Sequence, residues 1–107
     1  MTFLILSDSG FNMYFEKNKQ LPIILFFMAD WCDQCKNIKT FVEREATRNR
    51  HDLTVLRIDS AQCDEAVVKY GITSIPTFVL VINDVVKYSF NGANEEKFLA
   101  MIDKALE

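Results

Sequence analysis

An apolar run, Ile23-Ile24-Leu25-Phe26-Phe27-Met28, stops just short of Trp31-Cys32-Asp33-Gln34-Cys35-Lys36. The run shows little alternation between apolar and polar positions. It therefore predicts a strand over Leu21–Ala29 buried on both faces, a central strand covered by helices on each side. Pro22 falls at its start, where a missing N–H does least harm. After the first cysteine, Cys35, Ile38, Phe41, Val42 and Ala46 recur on one helical face, which predicts a long helix over about Cys32–Asn49. A strand that delivers Cys-x-x-Cys to the first turn of a helix is the arrangement a dithiol redox centre needs.

The rest of the chain divides around this unit. Thr2–Leu6 reads as a short strand. Ser7-Asp8-Ser9 offers helix caps, and Phe11, Tyr14 and Phe15 have helical spacing, so a first helix is placed at about Asp8–Asn18. Arg50-His51-Asp52 is a polar break before a buried strand, Leu53–Ile58, which ends at Asp59-Ser60. Gln62–Tyr70 reads as a short helix stopped by Gly71. Ser74-Ile75-Pro76 turns into the strand Thr77–Ile82, and Asn83-Asp84 makes a tight hairpin into Val85–Phe90. Asn91-Gly92-Ala93 breaks the chain again. Asn94 caps a last helix with an apolar face of Phe98, Leu99, Ile102 and Leu106. The order β-α-β-α-β-α-β-β-α predicts an α/β fold, with parallel pairing through helical crossovers and a closing antiparallel hairpin. No repeat or linker interrupts it, so residues 1–107 are expected to form one domain.

Composition narrows the function. The 107 residues are half hydrophobic and a quarter charged, which suits a folded globule with its own core. A net charge of −3 argues against binding a nucleic-acid backbone. No stretch approaches the roughly 18 apolar residues of a membrane span, and the N-terminal segment lacks the basic start of an export signal. Three cysteines are too few, and odd in number, for a disulfide framework. A reducing compartment, the cytoplasm, is the expected location.

The chemistry of the pair follows from helix geometry. Disulfide exchange needs a thiolate, and unpaired N–H groups at a helix N-terminus favour negative sulfur. Cys32, at the helix start, is expected to be the acidic, exposed thiol. Cys35, one turn in on the apolar face, is expected to be buried. Cys32 would attack a substrate disulfide, and Cys35 would then resolve the mixed disulfide. Asp33 opposes ionisation of Cys32, and Lys36 partly offsets it, so Asp33, Gln34 and Lys36 are read as residues that tune the couple towards reducing power. Cys-x-x-Cys is also half a zinc site, but only Cys63 and His51 remain to complete one.

These motifs together resemble the thioredoxin family. Residues 27–36, Phe-Met-Ala-Asp-Trp-Cys-Asp-Gln-Cys-Lys, look like that family's strand end and active site, which reads Trp-Cys-Gly-Pro-Cys-Lys. Ile75-Pro76-Thr77 resembles its Ile-Pro-Thr, Lys69-Tyr70-Gly71-Ile72 the segment before it, and Gly92-Ala93 its glycine-containing loop. The resemblance implies the thioredoxin fold: a mixed central sheet of about five strands flanked by about four helices. It implies a protein-disulfide reductase with Cys32 as nucleophile and Cys35 as resolving thiol. Trp31, Ile75, Pro76, Gly92 and Ala93 would form the surface that receives a protein substrate. A cis Ile75–Pro76 bond is expected, since only X-Pro bonds make cis cheap. No bound cofactor is implied beyond a redox-active Cys32–Cys35 disulfide. A separate thioredoxin reductase, a flavoprotein drawing on NADPH, is implied as partner, and the chain is expected to be a monomer. A specialised redox relay or isomerase with a dedicated partner, or a binding module with idle cysteines, are the rival readings.

The sequence also departs from the family pattern. Asp33-Gln34 replaces Gly-Pro between the cysteines. The family's buried aspartate, six residues before the nucleophile, is Phe26, and its lysine partner is placed at about Val55. Without that pair, Cys35 would lose its proton to water, to the departing thiolate, or to a group such as Asp30 or Asp33. The helix proline of many relatives is Thr40 here, so its kink should be weak or absent. Cys63 is read as a semi-buried thiol, with regulation through an intermolecular disulfide as its functional alternative. His51 reads as a solvated loop residue. Glu43, Arg44, Glu45 and Arg48 read as a solvated helix face.

Overall fold

The computed structural model describes residues 2–107. The elements in chain order are β1 (Thr2–Ile5), α1 (Asp8–Asn18), β2 (Ile23–Met28), α2 (Asp33–Arg48), β3 (Thr54–Asp59), α3 (Asp64–Lys69), β4 (Thr77–Ile82), β5 (Val85–Asn91) and α4 (Glu95–Ala105). The strands form one sheet in the order β1-β3-β2-β4-β5. The apolar run becomes β2 at its centre, and all six of its residues are buried. Alternate residues of the strands feed two cores. Ile24, Phe26, Phe78 and Leu80 pack under α2 and α4. Leu25, Phe27, Leu56 and Ile58 pack under α1 and α3.

Strand direction departs from the simple alternation read from the sequence. β1, β3 and β2 are mutually parallel, but β4 runs antiparallel to β2 although a helix precedes it. The connection from β3 to β4, residues 60–76, holds only the six-residue α3 and delivers Thr77 opposite Phe27, so β4 starts beside the C-terminal end of β2. The β4–β5 hairpin turns on Asn83 and Asp84, whose φ values of 53° and 67° are those of the tight turn their residue types favour.

One row of register partners crosses the whole sheet: Leu4, Arg57, Phe26, Phe78 and Phe90. Phe26 stacks on Phe78 at 4.6 Å between centroids, Phe78 stacks on Phe90 at 4.8 Å, and Phe98 of α4 meets Phe78 edge-on at 5.3 Å. Position 26 therefore serves as packing. Its neighbour on β3 is Arg57; Val55 lies opposite Ile24, two residues back along the strand, so the expected partner position was misplaced.

Helix ends follow their caps. Ser7 Oγ accepts the Gly10 N–H at 3.0 Å, and Asn94 Oδ1 accepts the Lys97 N–H at 2.9 Å. α3 uses a distant cap: the Asp8 carboxylate of α1 accepts the N–H groups of Glu65 and Ala66, both at 3.1 Å. α2 runs unbroken through Thr40 and buries the expected Cys35, Ile38, Phe41, Val42 and Ala46. It also buries Glu45, expected to be solvated, whose carboxylate pairs with Arg48 at 3.3 Å. On α4 the buried face is Phe98, Met101, Ile102 and Ala105, while Leu99 and Leu106 are exposed. Spacing of three, four and seven residues from Phe98 selects the first set, and Leu106 already caps the helix end.

Cys63 is fully buried in the α1/α3 core, deeper than the semi-buried site expected, and its Sγ lies 3.8 Å from the Ile5 carbonyl oxygen. Burial, reinforced by the charges of Asp8, Asp59 and Asp64, pushes its thiol from 9.0 up to about 11. Because the folded state holds this proton more tightly than the unfolded chain, the associated stability is full below pH 9.0 and drains away as pH climbs to about 11. An intermolecular disulfide at Cys63 would require this core to open. In the oxidised protein at pH 8, alkylation of Cys63 is expected to be at least about a hundredfold slower than in urea-unfolded chain; equal rates would contradict this burial.

Candidate active site: the dithiol at the start of the second helix

The buried strand β2 ends at Met28, and Ala29-Asp30-Trp31 turns the chain into α2. The turn is tied by the Cys32 N–H to the Ala29 carbonyl at 3.1 Å. Cys32 is then the N-cap of α2, with extended backbone (φ −92°, ψ 105°). Its Sγ accepts the Cys35 N–H at 3.1 Å, the bond that a serine or aspartate side chain makes at an ordinary helix start. Cys32 and Cys35 are joined as a disulfide with their Cα atoms 5.3 Å apart.

Cys32 is 7 % exposed and Cys35 3 %. The order of exposure is as expected, but Cys32 is not the open sulfur that its place at a helix start suggests. In the disulfide both sulfurs belong to the core beneath α2, which includes Phe26 and Phe78. The exposed feature is Trp31, at 73 %. Asp33, Gln34 and Lys36 are also exposed on the first turn of the helix, so the two charges act on Cys32 across solvent-screened space.

Two further segments complete the surroundings. The Ile75–Pro76 peptide is cis, and Pro76 is buried at the head of β4. The Gly92 N–H donates to the Pro76 carbonyl at 2.8 Å, which draws the loop after β5 against it. Gly92 has φ +95°, a conformation that a side chain at this position would strain. Ala93 is exposed beside it. Trp31 and Ile75 line one open groove of about 450 Å³, whose wall also includes Ser60, Ala61, Val67 and Ile72. Ser60, Ala61 and Val67 were not read as site residues, since they lie in a polar loop and on a helix too short to display a periodic face, and Ile72 was read only as part of the segment before Ile75.

The two residues that a zinc ion would need beside the dithiol stand apart from it. Cys63 is in the core on the other face of the sheet, and His51 is in the exposed turn after α2. Among the described residues no group of three His, Cys, Asp or Glu side chains is placed to hold a metal ion. No described helix is long and apolar enough to cross a membrane.

Comparison with known proteins agrees with this geometry. The thioredoxin family model matches residues 2–104. Thioredoxin-1 of Drosophila yakuba is 34% identical over 99 residues, covering 92% of each chain. Thioredoxin 1 of Plasmodium falciparum is 29% identical over 104 residues, covering 97% of each. Among solved structures, Fasciola hepatica thioredoxin superimposes with a TM-score of 0.88 at 30% identity, covering 96% of this chain and 98% of the other. The germline-specific thioredoxin Deadhead of Drosophila melanogaster gives 0.88 at 30% identity, covering 94% and 95%. With its Cys-x-x-Cys closed as a disulfide at the start of α2, the chain belongs to the thioredoxin family of protein dithiol–disulfide oxidoreductases.

Proposed function

We propose that the protein reduces protein disulfides with Cys32 as the attacking and Cys35 as the resolving sulfur, residues 1–107 acting as one domain. The observation that carries this division of labour is the Cys35 N–H donated to Cys32 Sγ at 3.1 Å. That amide, with the helix dipole behind it, favours negative charge on Cys32 over Cys35. In the reduced protein the Cys32 thiolate attacks one sulfur of a substrate disulfide. A Cys32–substrate bond forms, and the other substrate sulfur leaves with the electron pair. Cys35, freed of its proton, then attacks Cys32 Sγ. The Cys32–Cys35 bond forms, the substrate leaves as a thiolate, and two electrons have passed from the protein to the substrate.

The groove lined by Trp31 and Ile75 is the docking surface for the substrate chain, and the resemblance adds Pro76, which follows Ile75, and Gly92-Ala93, tied to Pro76 by the Gly92 N–H. Its walls are mainly apolar, and Ile75, at the turn into β4, offers backbone groups to an extended segment. The redox-active disulfide serves in place of a bound cofactor. A thioredoxin reductase fed by NADPH returns it to the dithiol, and the protein works as a cytoplasmic monomer. These last assignments rest on the family resemblance.

Replacing Cys35 by serine should leave the first attack intact and remove the second. In an insulin-reduction assay, turnover is expected to vanish in Cys35→Ser while a stable Cys32-linked mixed disulfide accumulates. Idle cysteines would show no turnover in the wild type and no trapped adduct in the variant. Asp33 places a negative charge next to the attacking sulfur and so favours the disulfide state. A redox titration of Asp33→Asn should move the midpoint to a more oxidising value, and an unchanged midpoint would remove Asp33 from the tuning set.

A further inference from the structure

Cys35 can attack only after its thiol has lost a proton, and its surroundings make that a problem. It is 3 % exposed, and the sheet beneath it offers Phe26 and Phe78. In the mixed disulfide the Trp31–Ile75 groove is covered by the substrate. A second cleft, of about 440 Å³, reaches Cys35 from the β1 side of α2, and its lining shares no residue with the docking groove. It is therefore a separate opening to Cys35.

We infer that Asp59 takes the proton of Cys35 through water held in this second cleft. Cys35 and Asp59 line the same cleft, with Lys39 of α2 and Arg57 of β3. Asp59 is the buried carboxylate among them, at 7 % exposure, whereas Asp30 is exposed. Its position is fixed from both sides. It closes β3 opposite Met28, its Oδ1 accepts the Ala61 N–H at 3.0 Å, and its Oδ2 accepts the Gln62 Nε2–H at 3.0 Å. Each oxygen keeps a further lone pair for water. The volume has room for several waters, each of which needs only about 30 Å³, and the charged side chains on the wall offer them partners.

Charged groups stand around Asp59 on every side. Lys36 and Lys39 come from α2, and Arg57, two residues back on β3, projects from the same face of the sheet. Asp30 lies at the turn after β2. Asp8 and Asp64 bear on Cys63 from α1 and α3, as Asp59 also does. Lys36, Lys39 and Arg57 thus share the cleft wall with Asp30 and Asp59.

The step balances within the protein and water. The proton of Cys35 passes through a water to an Asp59 carboxylate oxygen, and the Cys35 thiolate then forms its bond to Cys32 Sγ. The Cys32–substrate bond breaks, and its electron pair leaves on the substrate sulfur. Asp59 then gives the proton to bulk water at the cleft mouth, beside Leu4 and Leu6. This inference rests on Cys35 being the resolving thiol.

The test is a stopped-flow reaction of the reduced protein with 5,5′-dithiobis(2-nitrobenzoate). The first release of coloured thiolate reports attack by Cys32, and the second, unimolecular release reports resolution by Cys35. In Asp59→Asn the second phase is expected to slow by about a hundredfold at pH 7, the low side of general-base effects, with the first phase unchanged. Added formate should accelerate the variant's second phase and leave the wild type's unaltered, an effect a merely structural role would not produce. Asp59→Glu, which keeps a carboxylate, should be faster than Asp59→Asn. In the wild type alone, an internal acceptor makes the second phase independent of buffer concentration at fixed pH. A wild-type second phase in Asp59→Asn, equal slowing of both phases, a formate response absent from the variant, or buffer dependence in the wild type would each overturn the proposal. Failure of the dithiol reading itself looks different: the wild type would release only one thiolate.

Discussion

The site depends on a sulfur doing the work of a helix cap. The first amides of any α-helix lack partners within the helix, and proteins usually satisfy them with a short oxygen-bearing side chain. Here Cys32 Sγ accepts the amide of Cys35. The contact that starts the helix therefore also prepares the anion that exchange chemistry requires. It fixes the relation between the two sulfurs as well, because the donor amide belongs to the partner cysteine. β2 supports the arrangement from below: six buried residues hold the strand end still, and only the three residues from Ala29 to Trp31 separate it from the cap.

The sheet beneath the dithiol is unusually aromatic along one row. Phe26, Phe78 and Phe90 stack across three strands, and Phe98 closes them from above. Such a row gives packing energy and rigidity but no group that can exchange a proton. Polar chemistry is displaced to the next position of the same row, Arg57, and to Asp59 two residues on. Rigid apolar support lies on one side of Cys35, and a charged cleft on the other. Trp31 and Ile75 line a separate groove that shares no lining residue with that cleft.

Much of this was legible in the residues. The unbroken apolar run of β2, the caps at Ser7 and Asn94, and the helical face from Cys35 to Ala46 are local signals, and the structure follows them. The dithiol was legible from its spacing together with the apolar strand before it and the helical face after it. What escaped depends on tertiary placement. The direction of β4 depends on which end of β2 it starts beside, and no local pattern in Thr77–Ile82 records that. Asp8 was readable as a helix-start residue, but not as the cap of a helix more than fifty residues away. Glu45 looked solvated because of its charge, although its spacing from Ile38, Phe41 and Val42 puts it on the buried face, where Arg48 pairs with it. Cys32 looked exposed because helix starts usually are, whereas its disulfide is folded into the core. Asp59 was visible only as the end of a strand; its sharing of a cleft with Cys35 is a property of parallel register.

If the amide-capped sulfur is the root of the chemistry, its ionisation should show it. Titration of the reduced protein by thiolate absorbance, with Cys35→Ser and Cys32→Ser to separate the signals, measures this directly. The thiol of Cys32 is expected to ionise below the ordinary value of about 8.5, and Cys35 above it. A Cys32 thiol titrating at or above that value, or a Cys35 thiol that ionises first, would contradict the division of roles between the two sulfurs.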